Sequence, residues 1–139
     1  MRCIAHRGFA ETYPENTVAA VRSAFDHVDM VEVDVRRCGS GELVVVHDET
    51  VDRITDQSGA VADFDSDELA GLDVLGSGEG VPTLDALLDV VPAGGELNLE
   101  LKERGLAADA LAAADDADVD VLCSSFSVEV LEQAREAGA

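Results

Sequence analysis

The strand that decides the fold reads Leu97-Asn98-Leu99-Glu100-Leu101-Lys102, in which apolar and polar residues alternate. Side chains along a strand point to opposite faces in turn, so the leucines share one face and Asn98, Glu100 and Lys102 share the other. Lys102 is the only lysine in a chain with 30 acidic residues, which suggests a chemical role. The stretch therefore predicts a strand with an apolar layer on one face and a polar site on the other.

A second alternating stretch, Met30-Val31-Glu32-Val33-Asp34-Val35, places two more carboxylates on one strand face. Together with Glu100 they would bring three like charges to a common space, which requires a cation or sharply raised pKa values. Oxygen ligands of this kind suit Mg²⁺ or Ca²⁺ better than Zn²⁺. The alternative for Glu32 and Asp34 is that they are solvent-facing positions of exposed strands.

Two of the three histidines end predicted strands. His6 follows the apolar residues 3–5, and His47 follows residues 43–46. Because parallel β/α folds gather catalytic groups at the carboxyl ends of their strands, both are candidate catalytic residues.

Strands and helices alternate along the whole chain. Strands are expected at about 2–6, 29–36, 42–47, 97–102 and 119–124, with helices after most of them. The connection Cys38-Gly39-Ser40-Gly41 is too tight for a helix, and residues 48–80 form the longest irregular stretch, with a short helix near residues 66–72. This alternation favours a parallel sheet with helices packed outside it.

Six motifs together resemble those of the glycerophosphodiester phosphodiesterase family, in that family's order and approximate spacing. They are Ile4-Ala5-His6-Arg7-Gly8, Pro14-Glu15-Asn16-Thr17, Val31-Glu32-Val33-Asp34-Val35, Val45-Val46-His47-Asp48, Val81-Pro82-Thr83-Leu84 and Asn98-Leu99-Glu100-Leu101-Lys102. The resemblance implies an α/β fold of the TIM-type (β/α) barrel. A complete barrel has eight strands and typically about 250 residues. With five predicted strands, residues 1–139 are expected to be a single domain that is incomplete at its C-terminus, with open sheet edges through which it could self-associate.

The resemblance also implies roles for particular residues. It assigns the metal ligands to Glu32, Asp34 and Glu100, and the acid–base pair to His6 and His47. Arg7 and Lys102 are expected to contact the substrate phosphate, because they supply positive charge in a chain that otherwise repels anions. Asn16 is expected either to order a neighbouring ligand or loop, or to be a plain helix cap. Which histidine is the acid, and whether water or a substrate hydroxyl attacks, are open.

The activity implied is metal-dependent hydrolysis of glycerophosphodiesters to glycerol phosphate and an alcohol, in glycerophospholipid breakdown. One alternative is lysophospholipase D-type headgroup cleavage at the same site. Another is a non-catalytic fragment that binds a metal or a partner.

Composition narrows the class of protein. The chain of 139 residues is 47% apolar, which predicts a globular core, and its net charge of −21 argues against nucleic acid and anionic membrane surfaces as partners. The acidic, lysine-poor composition also resembles adaptation to high salt. Three cysteines without paired spacing, no signal peptide and no apolar run near about 18 residues predict a cytoplasmic protein with reduced thiols. Cys3 and Cys123 are expected to be core residues.

Overall fold

The computed structural model of the chain describes the backbone of residues 4–6 and residues 14–125 and 127–138 in full. The described elements are β1 (Ile4–His6), α1 (Val18–Ala24), β2 (Met30–Arg37), β3 (Leu43–Val45), a 3₁₀ turn (Val61–Asp63), α2 (Ser66–Ala70), α3 (Leu84–Leu88), β4 (Glu96–Leu101), α4 (Ala107–Asp116), β5 (Asp120–Ser124) and α5 (Val128–Glu136). The predicted alternation of strands and helices is confirmed.

The sheet is ordered β1-β2-β4-β5, and all three of these pairings are parallel. In the register of β2 with β4, Glu32 lies beside Asn98 and Asp34 lies beside Glu100. The two strands predicted to carry the carboxylates are therefore direct neighbours. The same register fixes which of their side chains share a face.

Strand β3 does not belong to the parallel series. It pairs antiparallel with the end of β2, on the same edge as β1 and beyond the point where β1 ends. The connection 38–42 is far shorter than the dozen or so residues that a parallel crossover needs, so only a hairpin can form. The prediction of about five barrel strands is thus corrected, within the described residues, to four parallel strands and one hairpin strand.

The hairpin explains how His47 comes to lie near β2. After β3 the chain runs back along β2, and the amide of Val46 donates a hydrogen bond of 3.0 Å to the carbonyl of Asp34. His47 is the next residue. Its location beside the carboxylate strands therefore comes from an antiparallel return, and the expectation that it ends a parallel strand is wrong.

The main core lies between the sheet and helices α1, α3, α4 and α5. Val31, Val33 and Val35 of β2 and Leu97, Leu99 and Leu101 of β4 are all buried in it, on the face opposite the carboxylates. Burial of this apolar surface is the dominant stabilising term and fixes both strands against slippage, since a one-residue slip would bury the acidic face instead.

A smaller second core lies under the long irregular segment that follows β3. It contains Val44, Val46, Val51, Ile54 and Leu69, among others. The predicted short helix forms as α2, whose N-cap Asp65 and residue Glu68 make a capping box. Residues 48–80 are therefore irregular in outline but anchored by buried side chains.

Strand β5 forms one edge of the sheet within the described residues. It pairs with β4 alone among the described strands, and its Leu122 is 55% exposed. Self-association through this edge stays a prediction.

The cysteines differ in burial. Cys38 is buried in the second core and Cys123 packs half-buried against the main core, while Cys3 lies outside the described residues.

Within the described ranges, none of the helices has the length and apolarity needed to cross a membrane.

Candidate metal centre and acid–base site

Three carboxylates converge on the polar face of β2 and β4. Each of Glu32, Asp34 and Glu100 offers an oxygen, and these oxygens all lie within 4.8 Å of one another. Asp34 is completely buried and Glu100 is 7% exposed, whereas Glu32 is half-buried. The arrangement follows directly from the strand register, because residues in adjacent parallel strands stand side by side on the same face.

The electrostatics of this cluster fit a divalent cation. Burial raises the pKa of Asp34, and the hydrogen bond from Asn16 offsets this only in part. Burial acts in the same direction on Glu100, but hydrogen bonds from Lys102 and Asp34 outweigh it and leave the pKa of Glu100 lowered. Burial thus favours the protonated form of Asp34, which is one means of reducing the negative charge of the cluster. A cation with oxygen ligands is the other means of neutralising three such groups together.

Lys102 lies directly against the carboxylates. Its Nζ donates a hydrogen bond of 2.9 Å to Oε1 of Glu100 and lies 3.6 Å from Oδ1 of Asp34. The ammonium group therefore balances part of the negative charge and helps hold Glu100 in its ionised form. A direct contact to substrate phosphate stays a prediction.

Asn16 makes two hydrogen bonds to Asp34. Its Nδ2 donates to Oδ2 of Asp34 at 2.9 Å, and its Oδ1 accepts from the backbone amide of Asp34 at 3.4 Å. Asn16 has φ of 56°, a left-handed conformation that asparagine tolerates better than most residues. The cap of α1 is Thr17, whose hydroxyl accepts from the amide of Ala20. The structure thus places Asn16 as a holder of Asp34, and the helix-cap alternative is wrong.

His47 is oriented by its neighbour Asp48. The Nδ1 atom of His47 lies 2.7 Å from Oδ1 of Asp48. The hydrogen bond from Arg53, together with that of His47, lowers the pKa of Asp48 to about 2 despite partial burial. Asp48 is therefore an ionised acceptor at neutral pH, so Nδ1 carries the proton and Nε2 is the nitrogen available for proton transfer.

The remaining predicted residues lie at the boundary of the described chain. The backbone of His6 ends β1 and lies beside Glu32 in the register of β1 with β2. The side chain of His6 and all of Arg7 fall outside the described residues. Their predicted roles in proton transfer and phosphate binding stay predictions.

Three residues of the site were not singled out from the sequence. Glu15 and Asp48 lie inside two of the six motifs. Glu15 is next to Asn16 and Asp48 is next to His47, so their position beside these candidate residues was the available signal. Arg53 lies in the long irregular stretch and had no pattern to mark it beyond being one of eight arginines in a very acidic chain. Its guanidinium contacts both Glu15 and Asp48.

A carboxylate cluster next to an oriented histidine, on the polar face of a parallel sheet, is typical of metal-assisted hydrolytic sites. The chain belongs to the glycerophosphoryl diester phosphodiesterase family, whose model matches residues 6–137. The resemblance inferred from the six motifs is thereby confirmed.

Individual relatives agree with the family assignment. The chain is 43% identical over 95 residues to a glycerophosphodiester phosphodiesterase of Caldanaerobacter subterraneus, a match that covers 63% of this chain and 39% of that protein. Among solved structures, it resembles a glycerophosphodiester phosphodiesterase from Agrobacterium tumefaciens with a TM-score of 0.90 and 34% identity, covering 99% of this chain and 63% of that one. A phosphodiesterase from Oleispira antarctica, solved with the product sn-glycerol-3-phosphate, matches with a TM-score of 0.84 and 32% identity over 99% of this chain and 62% of that one. The chain thus spans about two fifths of the curated relative's length.

Proposed function

We propose that this site hydrolyses glycerophosphodiesters to glycerol phosphate and an alcohol, with the help of a divalent cation. The observation that carries the proposal is the group of carboxylate oxygens within 4.8 Å of one another, beside a histidine whose tautomer is set by Asp48. The family membership supports it, as does the product bound to the Oleispira relative.

The proposed frame for this chemistry is a TIM-type (β/α) barrel within a single domain spanning residues 1–139. The four parallel strands contribute one side of the barrel, and β3 forms a hairpin at its carboxyl end. Support comes from the strand order and from the extent of the structural match to the Agrobacterium protein.

Glu32, Asp34 and Glu100 would hold the cation, either Mg²⁺ or Ca²⁺. When bound, such an ion supplies positive charge for a phosphodiester oxygen and lowers the pKa of a coordinated hydroxyl or water. Asn16 keeps Asp34 turned toward the cluster through its 2.9 Å hydrogen bond.

Proton transfer is assigned to His47 and His6. One imidazole takes the proton of the attacking water or substrate hydroxyl as the new P–O bond forms, and the other protonates the alkoxide as the old P–O bond breaks. In His47 the transferring atom is Nε2, because Nδ1 is bound to Asp48. Arg7 and Lys102 are assigned to the phosphate oxygens, where a guanidinium can contact two oxygens and an ammonium acts as a point charge.

The partner in this proposal is a small phosphodiester. The net charge of −21 disfavours polyanionic partners, so a local group of cations is needed to attract a phosphate. The cytoplasmic location stays a prediction.

An assay of glycerophosphocholine hydrolysis tests the proposal, run with Mg²⁺, with Ca²⁺ and with excess chelator. We expect release of glycerol phosphate that depends on the ion and that is lost in Glu32→Gln but kept in Glu129→Gln. Glu129 is a suitable control because it is a surface glutamate on α5 paired with Arg104.

Two results would contradict the proposal. Full hydrolysis in chelator would remove the cation from the mechanism. Cleavage of lysophosphatidylcholine with none of glycerophosphocholine would favour the lysophospholipase D-type alternative, and metal binding without cleavage of either would favour a non-catalytic role.

A further inference from the structure

Arg53 joins two parts of the site that are far apart in sequence. Its Nη1 and Nη2 donate to Oε1 and Oε2 of Glu15 at 2.7 and 2.9 Å, a two-bonded pairing across 38 residues. Its Nε donates to Oδ2 of Asp48 at 2.8 Å, and its Nη2 donates to Oδ1 of Asp48 at 3.2 Å. One guanidinium therefore binds two carboxylates at once, which a lysine ammonium cannot do with the same geometry.

Each of these carboxylates leads to a different functional group. Asp48 contacts Nδ1 of His47 at 2.7 Å. Glu15 immediately precedes Asn16, which in turn donates to Asp34 at 2.9 Å. Through Asp48, Arg53 is therefore connected to the histidine. Through the backbone of residues 15–16, it is connected to Asp34 of the carboxylate cluster.

The burial of Arg53's neighbours favours a fixed position over a passing surface contact. Glu15 is 6% exposed, and Val51 and Ile54, on either side of Arg53 in sequence, are buried in the second core. The amide of Leu75 also donates a 2.7 Å hydrogen bond to the carbonyl of Ile54. The segment carrying Arg53 is therefore anchored at its base, while the guanidinium reaches across to two partners.

We propose that Arg53 is a positioning residue. It holds Asp48 against His47 and the 15–16 turn against Asp34, and in this way aligns the acid–base histidine with the carboxylate cluster. The inference rests on the proposed function for its catalytic consequence, but its structural consequence can be measured without activity. It assigns a purpose to the irregular segment after β3: the segment carries the residue that joins the two halves of the site.

The decisive measurement is the tautomer of His47, read from long-range ¹H–¹⁵N correlations of the metal-free protein and assigned by comparison with His47→Asn. In the unmodified chain we expect the Nδ1–H form. In Arg53→Gln we expect a mixture of tautomers, because Asp48 loses the two hydrogen bonds that hold it. In Asp48→Asn we expect the Nε2–H form, since an amide can donate to Nδ1.

The two halves of the network can be separated by variants. Glu15→Gln should weaken binding of Mg²⁺ or Ca²⁺ in calorimetry and leave the His47 tautomer unchanged, whereas Asp48→Asn should do the reverse. Arg53→Gln should affect both measurements. Loss of a contact that orients a ligand from outside typically costs about 10–100-fold in metal affinity or activity.

Turnover supplies a second readout. Arg53→Gln should lower kcat by about 10–100-fold with a much smaller change in KM, and Arg53→Lys should recover part of the loss through a single ion pair. Arg104→Gln is the matched control, because Arg104 makes an exposed 2.7 Å pair with Glu129 on the surface of the helical layer. It should behave like the unmodified chain in every measurement.

An unchanged His47 tautomer in Arg53→Gln would overturn the inference. So would a rise in KM with kcat intact, which would make Arg53 a substrate contact instead. Should Arg53→Gln fail to fold, Arg53→Lys and Asp48→Asn carry the same test, and an unchanged tautomer in both would be equally decisive. If the unmodified chain hydrolyses no glycerophosphodiester, the proposed function fails, while the tautomer still decides the role of Arg53.

Discussion

The pair of strands β2 and β4 and the segment 46–60 build the two halves of the site by different means. On β2 and β4, the carboxylates are placed by backbone register, with Asp34 beside Glu100 and a buried valine and leucine layer behind them. In the segment 46–60, the antiparallel return brings the backbone of His47 beside β2, but ion pairs between side chains orient the His47 ring and the Arg53 guanidinium. The side chains of one half are oriented by strand register, and those of the other by a network that a single substitution can release.

The largest expected effect comes from removing a carboxylate placed by register. Glu32→Ala should abolish both divalent-ion binding and turnover, because Asp34 and Glu100 alone leave too few anionic ligands and metal assistance contributes several kcal/mol to the transition state. Calorimetry and the hydrolysis assay on the same sample would check this. Unchanged metal affinity would remove Glu32 from the ligand set.

A histidine of the second half should affect chemistry without affecting the metal. His47→Ala should reduce turnover by about 10²–10⁴-fold, the range typical of a general acid or base, with metal affinity close to that of the unmodified chain. The same is expected of His6→Ala. Loss of metal affinity with normal turnover at saturating ion would make that histidine a ligand and the acid–base assignment wrong.

Substitutions in the main core and in the second core should differ in their effects on the free energy of unfolding and on kcat. Leu99→Ala removes a fully buried side chain of β4 from the main core and should lower the free energy of unfolding by about 2–5 kcal/mol. Val51→Ala removes two buried methyl groups of the second core and should cost only about 1–2 kcal/mol. Val51→Ala should nonetheless lower kcat, since Val51 anchors the segment that carries Arg53. Denaturant titrations and assays well below the unfolding midpoint would check both, and full kcat in Val51→Ala would show that this anchoring is not needed.

The smallest effect is a pH dependence of stability that arises in the ion-pair network. The pKa of Asp48 is lowered from 3.8 to about 2 in the folded protein. A lowered folded-state pKa means that the stabilisation is fully present above the unfolded value and is lost as pH falls toward about 2. The difference in unfolding free energy between the unmodified chain and Asp48→Asn should therefore be constant near neutral pH and shrink below about pH 4. A difference that stays constant down to pH 2 would show that Asp48 is not held by Arg53 in solution.

The same contrast explains which features could be predicted from the sequence. The strict alternation in β2 and β4 predicted both strands and the shared face of Glu32, Asp34 and Glu100, since a half-buried strand allows only one register. The short connection 38–42 also excluded a helix between β2 and β3. Counting β3 as a barrel strand was wrong because an antiparallel strand cannot take a place in a parallel series.

The ion-pair network could not be predicted in this way. Arg53 and Glu15 are 38 residues apart, and no periodic pattern links them. Salt bridges of this kind depend on where an irregular segment is anchored, and that depends on the packing of the second core. The role of Asn16 fell between these cases, because cap and ligand-holding residues share the same side-chain chemistry.

The single lysine makes this site addressable by a reagent. Lys102 carries the only side-chain amine of the chain, and its Nζ lies 2.9 Å from a carboxylate oxygen of the Glu32, Asp34 and Glu100 cluster. An amine-directed label that spares the N-terminus would therefore modify the protein at one place, inside the site. The rate of labelling would report occupancy of the cluster by an ion or a phosphate directly, and the mass of the intact protein would count the modified molecules.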